Sequence, residues 1–461
     1  MDKPNILMIM ADQFRADWMS CVGNGFVETP NLNAIAETGV RFTKAICNSP
    51  LCAPSRAALA AGKYPHRLGL LDNTVNFPLD QPTYYQALRK AGYRVGVVGK
   101  TDLHKPEHFY GRNGDRPFMY HLGFTDVVDT EGKVNAARYG KLEYEKSAVK
   151  ELAGPYQRYL EGKGVLDSFV ADYDFRHEKA PVWYADQSSL CVEDYHDSYI
   201  GRKACDFLED VSDESPWHLF VSFVGPHDPW DAPAEYLKMF NSKSFPDSIK
   251  DTMEEKPEWV KKKSSKMSKG LSEEDLLKVK CNYAAMIKLI DDWTGRILSI
   301  LEKRGLKDNT VIIFCADHGE MMGDHGLFQK SVMYEGALRI PLLISHPQFK
   351  ASKADDSLVE LIDLCPTILD IAGIGFNRDV LDGKSLLQVL KGGTEPHKEY
   401  QLSELQNTRM IFDGKYKFIQ NYNDIDELYD LENDTKELYN VIKDSPEVKK
   451  RLLGALREIR R

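Results

Sequence analysis

The strongest constraint on the fold of this chain is a set of short segments that are apolar on both faces. Residues 6–11, 93–98, 217–224, 310–316 and 340–345 have this character. Continuous apolar runs of this length are typical of strands that helices cover on both faces. Between them lie segments with apolar residues at steps of three and four, which predict amphipathic helices. The alternation predicts an α/β fold built on a mostly parallel sheet flanked by helices.

The pattern changes after about residue 395. Short strand-like segments separated by Asn, Asp and Gly follow there, and residues 446–461 place apolar side chains on one face of a terminal helix. We therefore predict a large α/β domain over residues 1–395. A smaller subdomain, an antiparallel sheet plus a helix, is predicted over residues 396–461.

Two stretches interrupt the alternation of strands and helices. Residues 104–216 are rich in Tyr, Asp, Lys and Gly, and we expect them to form loops inserted over the sheet. Residues 241–280 carry runs of Lys and Glu, and such runs are typical of solvated surface segments. Both stretches are therefore expected to lie outside the main sheet.

Composition and charge exclude several kinds of protein. The chain has 461 residues, of which 42% are hydrophobic, so it can bury a large core. A net charge of −10 argues against nucleic acid as a partner, because phosphate binding needs clustered Lys and Arg. No apolar run reaches the roughly 18–20 residues that span a bilayer, and no signal peptide is recognisable. We expect no membrane span and a cytoplasmic location as the chain stands, or a periplasmic or secreted one if an export signal has been removed.

Polar residues follow four of the predicted strands, in the order Asp12 and Gln13, then Lys100, Asp102 and His104, then His227 and Asp228, then Asp317, His318 and Glu320. In open α/β sheets, ligands bind beyond the carboxyl ends of the strands. A single Asp at a strand end is commonly a turn former or a helix cap, but four such clusters together predict a binding site. Oxygen and imidazole ligands without a thiolate pair favour Ca²⁺, Mg²⁺ or Mn²⁺. The accompanying Lys and His side chains indicate that the metal acts on an anion.

The most specific motif is Cys52-Ala53-Pro54-Ser55-Arg56. It reads as a Cys in a loop, followed by Pro in the first turn of a helix, where a missing N–H costs little. Arg56 lies one turn further along, where it would lower the pKa of the thiol or bind an anion. An ordinary helix with a buried Cys and a surface Arg is the alternative interpretation.

This motif, extended by Leu59 and Gly62, resembles the signature of the sulfatase family, in which the Cys is converted to formylglycine after translation. Ala61 departs from the Thr or Ser that is common before the last Gly. Further matches occur in the expected order at residues 4–13, 99–100, 225–229, 317–330 and 427–431. The resemblance implies an alkaline-phosphatase-like α/β domain with a smaller C-terminal sheet subdomain.

The resemblance also implies a role for each matching residue. A divalent metal, most typically Ca²⁺ with Mn²⁺ or Mg²⁺ as alternatives, would be bound by Asp12, Gln13, Cys52, Asp317 and His318. The catalytic residues would be Cys52 as hydrated formylglycine, Arg56 holding its second hydroxyl, Lys100, His104, His227 and Lys330. Among these, Lys100 and Lys330 would bind the sulfate oxygens and His227 would lie near the leaving oxygen. The family histidine that follows the first lysine is matched by Asp102 in position and by His104 in residue type, so its role stays open between them.

Two departures bear on the substrate. Many sulfatases have a second Asp where this chain has Gln13, and an Asn where it has His318. Both residues are similar to those of the branch that contains choline sulfatases and phosphonate monoester hydrolases. These departures bear on the metal and on the leaving group. The activity that the resemblance implies is release of inorganic sulfate from an organic sulfate monoester, of a carbohydrate or an aryl alcohol.

Two other functions remain open at this point. The first is a phosphonate or phosphate ester hydrolase on the same fold, and the second is a non-catalytic protein that binds an anion or a carbohydrate. The resemblance further implies a maturation partner, either a formylglycine-generating enzyme or an anaerobic sulfatase-maturating enzyme.

Overall fold

The computed structural model describes residues 3–107, 109–137, 152–241, 243–349 and 353–460. Its main sheet contains β1 (Asn5–Ala11), β2 (Val40–Ile46), β3 (Arg94–Gly99), β4 (Asp126–Asp129), β5 (Trp217–Phe223), β6 (Thr310–Ala316), β7 (Leu342–Ser345) and β8 (Lys353–Glu360). The order of these eight strands is β4-β3-β5-β1-β6-β7-β2-β8. Strand β7 runs antiparallel to both of its neighbours, and the other pairs are parallel. The sheet confirms the predicted α/β class.

The α-helices of the described residues are α1 (Pro30–Thr38), α2 (Cys52–Ala61), α3 (Pro65–Leu68), α4 (Tyr84–Lys90), α5 (Pro117–His121), α6 (Lys133–Ala136), α7 (Pro155–Lys163), α8 (Leu166–Glu178), α9 (His196–Asp210), α10 (Ala234–Leu237), α11 (Glu258–Met267), α12 (Glu273–Lys303), α13 (Glu335–Leu338), α14 (Leu364–Ile371), α15 (Leu387–Leu390) and α16 (Pro446–Ile459). Short 3-10 helices span Ala16–Trp18, Ser20–Val22, Lys238–Phe240, Lys307–Asn309, Asp324–Gly326, Leu361–Asp363 and Arg378–Val380. The longest helix, α12, begins at a capping box formed by Ser272 and Asp275, which satisfies two backbone N–H groups of its first turn.

Helices cover both faces of the sheet, as the continuous apolar strands require. On one face, the Tyr85 ring of α4 stacks on His218 and Phe220 of β5. On the other face, Phe207 of α9 packs against Gly96 of β3, and α9 also contacts β5. Successive residues of a strand point to opposite faces, so a strand between two helical layers has no position that favours a polar side chain.

The expectation of loops over residues 104–216 is wrong. This stretch supplies the edge strand β4 and the helices α5 to α9, of which α9 packs on β3 and β5. The expectation for residues 241–280 is wrong in part, because α11 buries Val260 and Ser264. Neither segment has a long apolar run, so apolar periodicity gave no sign of this packing.

The C-terminal part forms a separate small sheet, as predicted. It contains β9 (Gln401–Leu405), β10 (Thr408–Phe412), β11 (Tyr416–Asn421) and β12 (Glu427–Asp430), which pair antiparallel in the order β12-β11-β10-β9. Helix α16 packs on this sheet and buries Leu452 and Leu456 against Phe418 and Leu428. The domain boundary between residues 395 and 396 stays a prediction.

The parallel register aligns four strand ends. Ala11, the last residue of β1, pairs with Phe223 of β5 and with Ala316 of β6, and Gly99 of β3 pairs with Ser222. Gly99 has φ +105°, and a Cβ at this position would overlap the backbone oxygen of Ser222. Only glycine therefore lets the chain leave β3 this close to β5. In the part of the chain that the structure describes, no helix is long and apolar enough to cross a membrane.

Gly201 tests how tightly the α9 layer is packed, because a methyl group there would overlap the indole ring of Trp293 on α12. We expect Gly201→Ala to lower the free energy of unfolding by about 1–3 kcal/mol through overpacking. Gly162 of α7 is the matched control, since nothing lies within 4 Å of its added Cβ, and Gly162→Ala should raise stability by up to about 1 kcal/mol. Urea unfolding of both variants measures the difference. Equal stability of the two variants would contradict this packing.

Candidate active site

Four buried side chains converge beyond the carboxyl ends of β1 and β6. Potential ligand atoms of Asp12, Cys52, Asp317 and His318 all lie within 4.8 Å of one another. The Cys52 Sγ lies 3.2 Å from His318 Nε2 and 4.0 Å from Asp12 Oδ1. The four residues come from three separate segments of the chain, so the sheet register brings them together.

Cys52 is the first residue of α2, and the local sequence explains its position. Pro54 lies in the first turn, where backbone N–H groups have no partner within the helix. Gly62 ends the helix with φ +65°, and a Cβ there would crowd the Cys365 side chain. The Ser55 hydroxyl donates to the backbone oxygen of Asp317 at 2.6 Å and ties the helix start to the end of β6.

Arg56 is buried among the strand ends, so the alternative of a surface arginine is wrong. Its Nε donates to Asp317 Oδ2 at 2.8 Å, and its Nη2 donates to Asp12 Oδ2 at 3.3 Å. Its Nη1 donates to Ser222 Oγ at 2.8 Å and to the backbone oxygen of Lys100. The guanidinium therefore neutralises two carboxylates that would otherwise repel each other.

Two buried lysines also reach this group. Lys100 Nζ forms an ion pair with Asp12 and lies 3.1 Å from Asp102 Oδ2. Lys330 Nζ donates to the side-chain oxygen of Gln13 and contacts His227 Nε2. Lys100 therefore contacts two carboxylates, whereas Lys330 contacts an amide oxygen and an imidazole nitrogen.

The electrostatics of Cys52 reflect these cations. Burial and the Asp12 carboxylate raise the pKa of the Cys52 thiol, but Lys100, Lys330 and His318 outweigh them, and the pKa lies well below its usual range. Burial also raises the pKa of Asp12, yet Lys100, His227 and Arg56 hold that pKa well below its ordinary value. Anionic groups are therefore favoured at this point of a buried pocket.

Gln13 lies beside the four side chains, in the left-handed region with φ +66°. Its backbone N–H donates to Asp317 Oδ1 at 3.0 Å. Its side-chain nitrogen donates to Glu320 and, at 3.2 Å, to Asp228 Oδ1. Glu320 and Asp228 stand in the polar clusters after β6 and β5, so their strand-end positions were the signal that could have selected them.

The two histidines predicted near the substrate are placed differently. His227 contacts Lys330 through Nε2 and the backbone oxygen of Asp228 through Nδ1. His104 instead makes its contacts with Asp129 Oδ2, at 2.6 Å from Nε2, and with Arg116, at 3.4 Å from Nδ1. The structure brings His227 to the group and gives His104 no contact with it among the described residues.

Sequence reasoning missed two residues that support the site. Ser222, in the buried run of β5, accepts a hydrogen bond from Arg56. Lys263 of α11 donates from Nζ to the backbone oxygens of Lys330 and Ser331, at 2.6 Å and 3.3 Å. Burial and the Lys330 charge lower the pKa of Lys263 to about 8. A run of three lysines gives no sign of which one reaches the backbone of Lys330.

The donor set fits a hard or borderline divalent cation. Asp12 and Asp317 are held ionised, and His318 offers an imidazole nitrogen. Gln13, whose backbone N–H donates to Asp317, adds a side-chain oxygen that accepts from Lys330. Carboxylate, amide and imidazole donors are those that such cations use in proteins. No second cysteine belongs to this group of described residues, so a thiolate-rich site for a softer metal is not formed.

Comparison with known proteins identifies the family. The family model described as Sulfatase matches residues 4–374, and the model described as N-sulphoglucosamine sulphohydrolase, C-terminal, matches residues 323–461. The chain is 31% identical to an arylsulfatase of Clostridium perfringens, over 98% of this chain and 92% of that protein. It is 29% identical to a choline-sulfatase of Rhizobium meliloti, over 95% and 82%.

The fold agrees with these matches. The solved structure of a phosphonate monoester hydrolase of Agrobacterium radiobacter superposes with a TM-score of 0.81 at 24% identity, over 99% of this chain and 95% of that one. This likeness confirms the alkaline-phosphatase-like fold. With one family model over most of its length and a relative above 30% identity, the chain belongs to the sulfatase family, the sulfuric ester hydrolases of the alkaline phosphatase superfamily.

Proposed function

We propose that this sulfatase releases inorganic sulfate from an organic sulfate monoester of a carbohydrate or aryl alcohol, with the reaction centred on Cys52. The observation that supports this most is the surrounding of the Cys52 Sγ by Lys100, Lys330 and His318, which together lower the thiol pKa against burial. A pocket that favours an anion at this atom suits a substrate whose reacting group is itself an anion. A non-catalytic binding role is set aside, because the chain is a sulfuric ester hydrolase.

The proposed roles follow the charge of the substrate. A sulfate ester shields its sulfur with negative oxygens, so catalysis needs cations on those oxygens and a positioned nucleophile. Lys330 and Lys100 bind the sulfate oxygens in this proposal. His227 donates the proton to the leaving alcohol oxygen, because its ring lies against Lys330 while its other nitrogen is fixed on Asp228. We assign this role to His227 rather than to His104, which is held by Asp129.

The metal and the modified cysteine complete the proposal. Asp12, Gln13, Asp317 and His318, with the side chain at position 52, would hold a divalent cation, most typically Ca²⁺, with Mn²⁺ or Mg²⁺ as alternatives. Such a cation would act as a Lewis acid on a sulfate oxygen and on the nucleophile. Formylglycine made from Cys52 by a formylglycine-generating or anaerobic sulfatase-maturating enzyme would supply a hydroxyl nucleophile. Arg56 would orient that group, since its guanidinium is fixed by Asp12 and Asp317.

A second candidate reaction is the hydrolysis of phosphonate or phosphate esters. Gln13 and His318 favour it, because both stand where many sulfatases have Asp and Asn. The two substrates differ in charge and geometry at the transferred group, so one preparation of enzyme discriminates them. A higher kcat/KM for an aryl phosphonate than for the matching aryl sulfate would favour this second reaction.

Cys52 is the first test. We expect Cys52→Ala to reduce turnover of 4-nitrophenyl sulfate to background, because the side chain at position 52 supplies the proposed nucleophile. Cys205→Ala, which removes a half-buried thiol from α9, should keep full activity. Mass spectrometry of the peptide containing Cys52 shows whether formylglycine is made. Activity of Cys52→Ala above a few per cent of wild type would exclude Cys52 as the nucleophile.

Lys330 tests the binding of the sulfate oxygens. We expect Lys330→Met to lower kcat/KM roughly ten- to hundredfold, because a charge-assisted hydrogen bond typically contributes about 1.5–3 kcal/mol. Stability should change little, since Gln13 and His227 are not carboxylates and Met retains most of the aliphatic stem. Lys250→Met is the control, because Lys250 lies on the surface in an exposed ion pair with Glu273. Equal kinetics for the two variants would contradict the role of Lys330.

Lys100 is less suited to this test than the sequence indicated. Its ammonium contacts Asp12 and lies 3.1 Å from Asp102, both buried. Replacing one partner of a buried ion pair leaves an uncompensated charge, which typically costs about 3–5 kcal/mol. The activity measured for Lys100→Met would therefore reflect both the lost contact with the sulfate and the lower stability of the folded protein.

Metal removal tests the proposed metal site. We expect exhaustive chelation to abolish turnover and Ca²⁺ to restore it, because Asp12 and Asp317 would then have their cation again. Ca²⁺ should also raise the midpoint of thermal unfolding of the metal-free protein, since a ligand of the native state stabilises it. Asp317→Ala should show neither effect. Normal turnover by fully metal-depleted protein would contradict the metal site.

A further inference from the structure

A cavity of about 340 Å³ lies beside the segment that carries Lys330, at the junction of the main domain and the C-terminal sheet. Its lining includes Trp259 of α11, the β9–β10 turn at Gln406 and Asn407, and Tyr422 and Asn423 after β11. No role in the proposed reaction accounts for this cavity. Three parts of the chain that are distant in sequence therefore form one recess.

The lining has the chemistry that recognises a sugar ring. Tyr422 leaves 68% of its surface exposed, and Trp259 is half-buried with its Nε1 fixed on Asn421 Oδ1 at 3.2 Å. Aromatic rings offer an apolar face to the C–H groups of a pyranose, while amides offer donors and acceptors to its hydroxyls. The side chains of Gln406, Asn407, Tyr422 and Asn423 have no hydrogen-bond partner among the described residues. Their polar groups are thus available to a ligand.

Charge narrows the ligand to an uncharged sugar. Asp424 is the one charged residue among the described residues of the lining. Its two oxygens accept hydrogen bonds from the backbone N–H groups of Trp259 and Ile425, at 3.2 Å and 2.8 Å. The described lining contains no Lys, Arg or His side chain to pair with a sulfate or a uronate. An anionic sugar would therefore lose its hydration there without gaining a partner.

Backbone hydrogen bonds join the lining of the cavity to the segments that carry Lys330 and Cys52. Ser331, which lines it, follows Lys330 in the chain, and its backbone N–H donates to Pro50 O at 3.0 Å, two residues before Cys52. Gln406 donates from its backbone N–H to Leu71 O at 3.3 Å. The next loop residues include Asn73, whose side chain accepts a hydrogen bond from the backbone N–H of Ala53. A ligand in the recess would thus lie against the supports of both Lys330 and Cys52.

We propose that this recess binds an uncharged sugar residue of a glycan whose sulfated residue occupies the pocket at Cys52. This rests on the proposed function, because it assigns the leaving alcohol to a carbohydrate chain of at least two sugar residues. Tyr422 and Trp259 would pack on the sugar ring, and Gln406, Asn407 and Asn423 would bind its hydroxyls. Such a site selects the substrate by its neighbouring sugar and leaves the sulfate to Lys330.

The experiment compares two exposed tyrosines of the C-terminal subdomain. Tyr422→Ala removes an aromatic ring from the recess, whereas Tyr439→Ala removes one that is 67% exposed and lies outside its lining. For each variant, kcat/KM is measured on 4-nitrophenyl sulfate and on a panel of sulfated monosaccharides, each also tested with one uncharged hexose attached. We expect Tyr422→Ala to lower the ratio of kcat/KM for the best disaccharide to that for 4-nitrophenyl sulfate by roughly five- to tenfold. Tyr439→Ala should leave that ratio within twofold.

A binding measurement completes the test. On an array of uncharged oligosaccharides, wild type should be retained and Tyr422→Ala should not. An unchanged ratio in Tyr422→Ala, or a wild-type protein that binds no uncharged oligosaccharide, would overturn the sugar site. Turnover of 4-nitrophenyl sulfate by the same preparation separates these results from a failure of the proposed function, in which no sulfate ester would be cleaved.

Discussion

The arrangement of side chains at the carboxyl ends of β1, β3, β5 and β6 depends on one buried arginine, Arg56. Asp12 and Asp317 directly follow the adjacent strands β1 and β6, so two ionised carboxylates lie together where water cannot screen them. Arg56 joins both, because its planar guanidinium presents several donors in fixed directions. The same group also bonds Ser222 of β5 and the backbone of Lys100 after β3. Four strand ends are thus held around a single cation, and the positions of the remaining side chains follow from it.

The three cationic side chains of the site therefore differ in how far their charge is already paired with protein carboxylates. Arg56 is occupied by protein carboxylates, and Lys100 is paired with Asp12 and Asp102. Lys330 contacts an amide and an imidazole, so its direct contacts among the described residues, unlike those of Arg56 and Lys100, include no carboxylate. Its backbone is fixed in turn by Lys263 of α11. A charged segment far from the signature motif thus supports the side chain best suited to attract an anion.

The sequence predicted the parts of the fold whose physics is local. The apolar runs of β1, β3, β5, β6 and β7 were recognisable, whereas β2, β4 and β8 mix polar and apolar residues and were not. Strand ends located Asp12 and Asp317, and the signature motif located Cys52. His104 shows the limit, because the chain turns at Asp102 with φ +55° and the ring is then held by Asp129. No spacing rule predicts such a turn.

The long sequence separation within the site has a consequence for the timing of synthesis. Cys52 is 98% shielded in the folded protein, and the His318 that covers it lies 266 residues further along the chain. At roughly 5–20 residues per second, a ribosome needs roughly 13–50 seconds to make that stretch. For most of this interval the segment around Cys52 lies outside the ribosome while His318 has not yet been made. An enzyme that modified this cysteine would therefore have access to it on the nascent chain, and completion of the sheet would close that access.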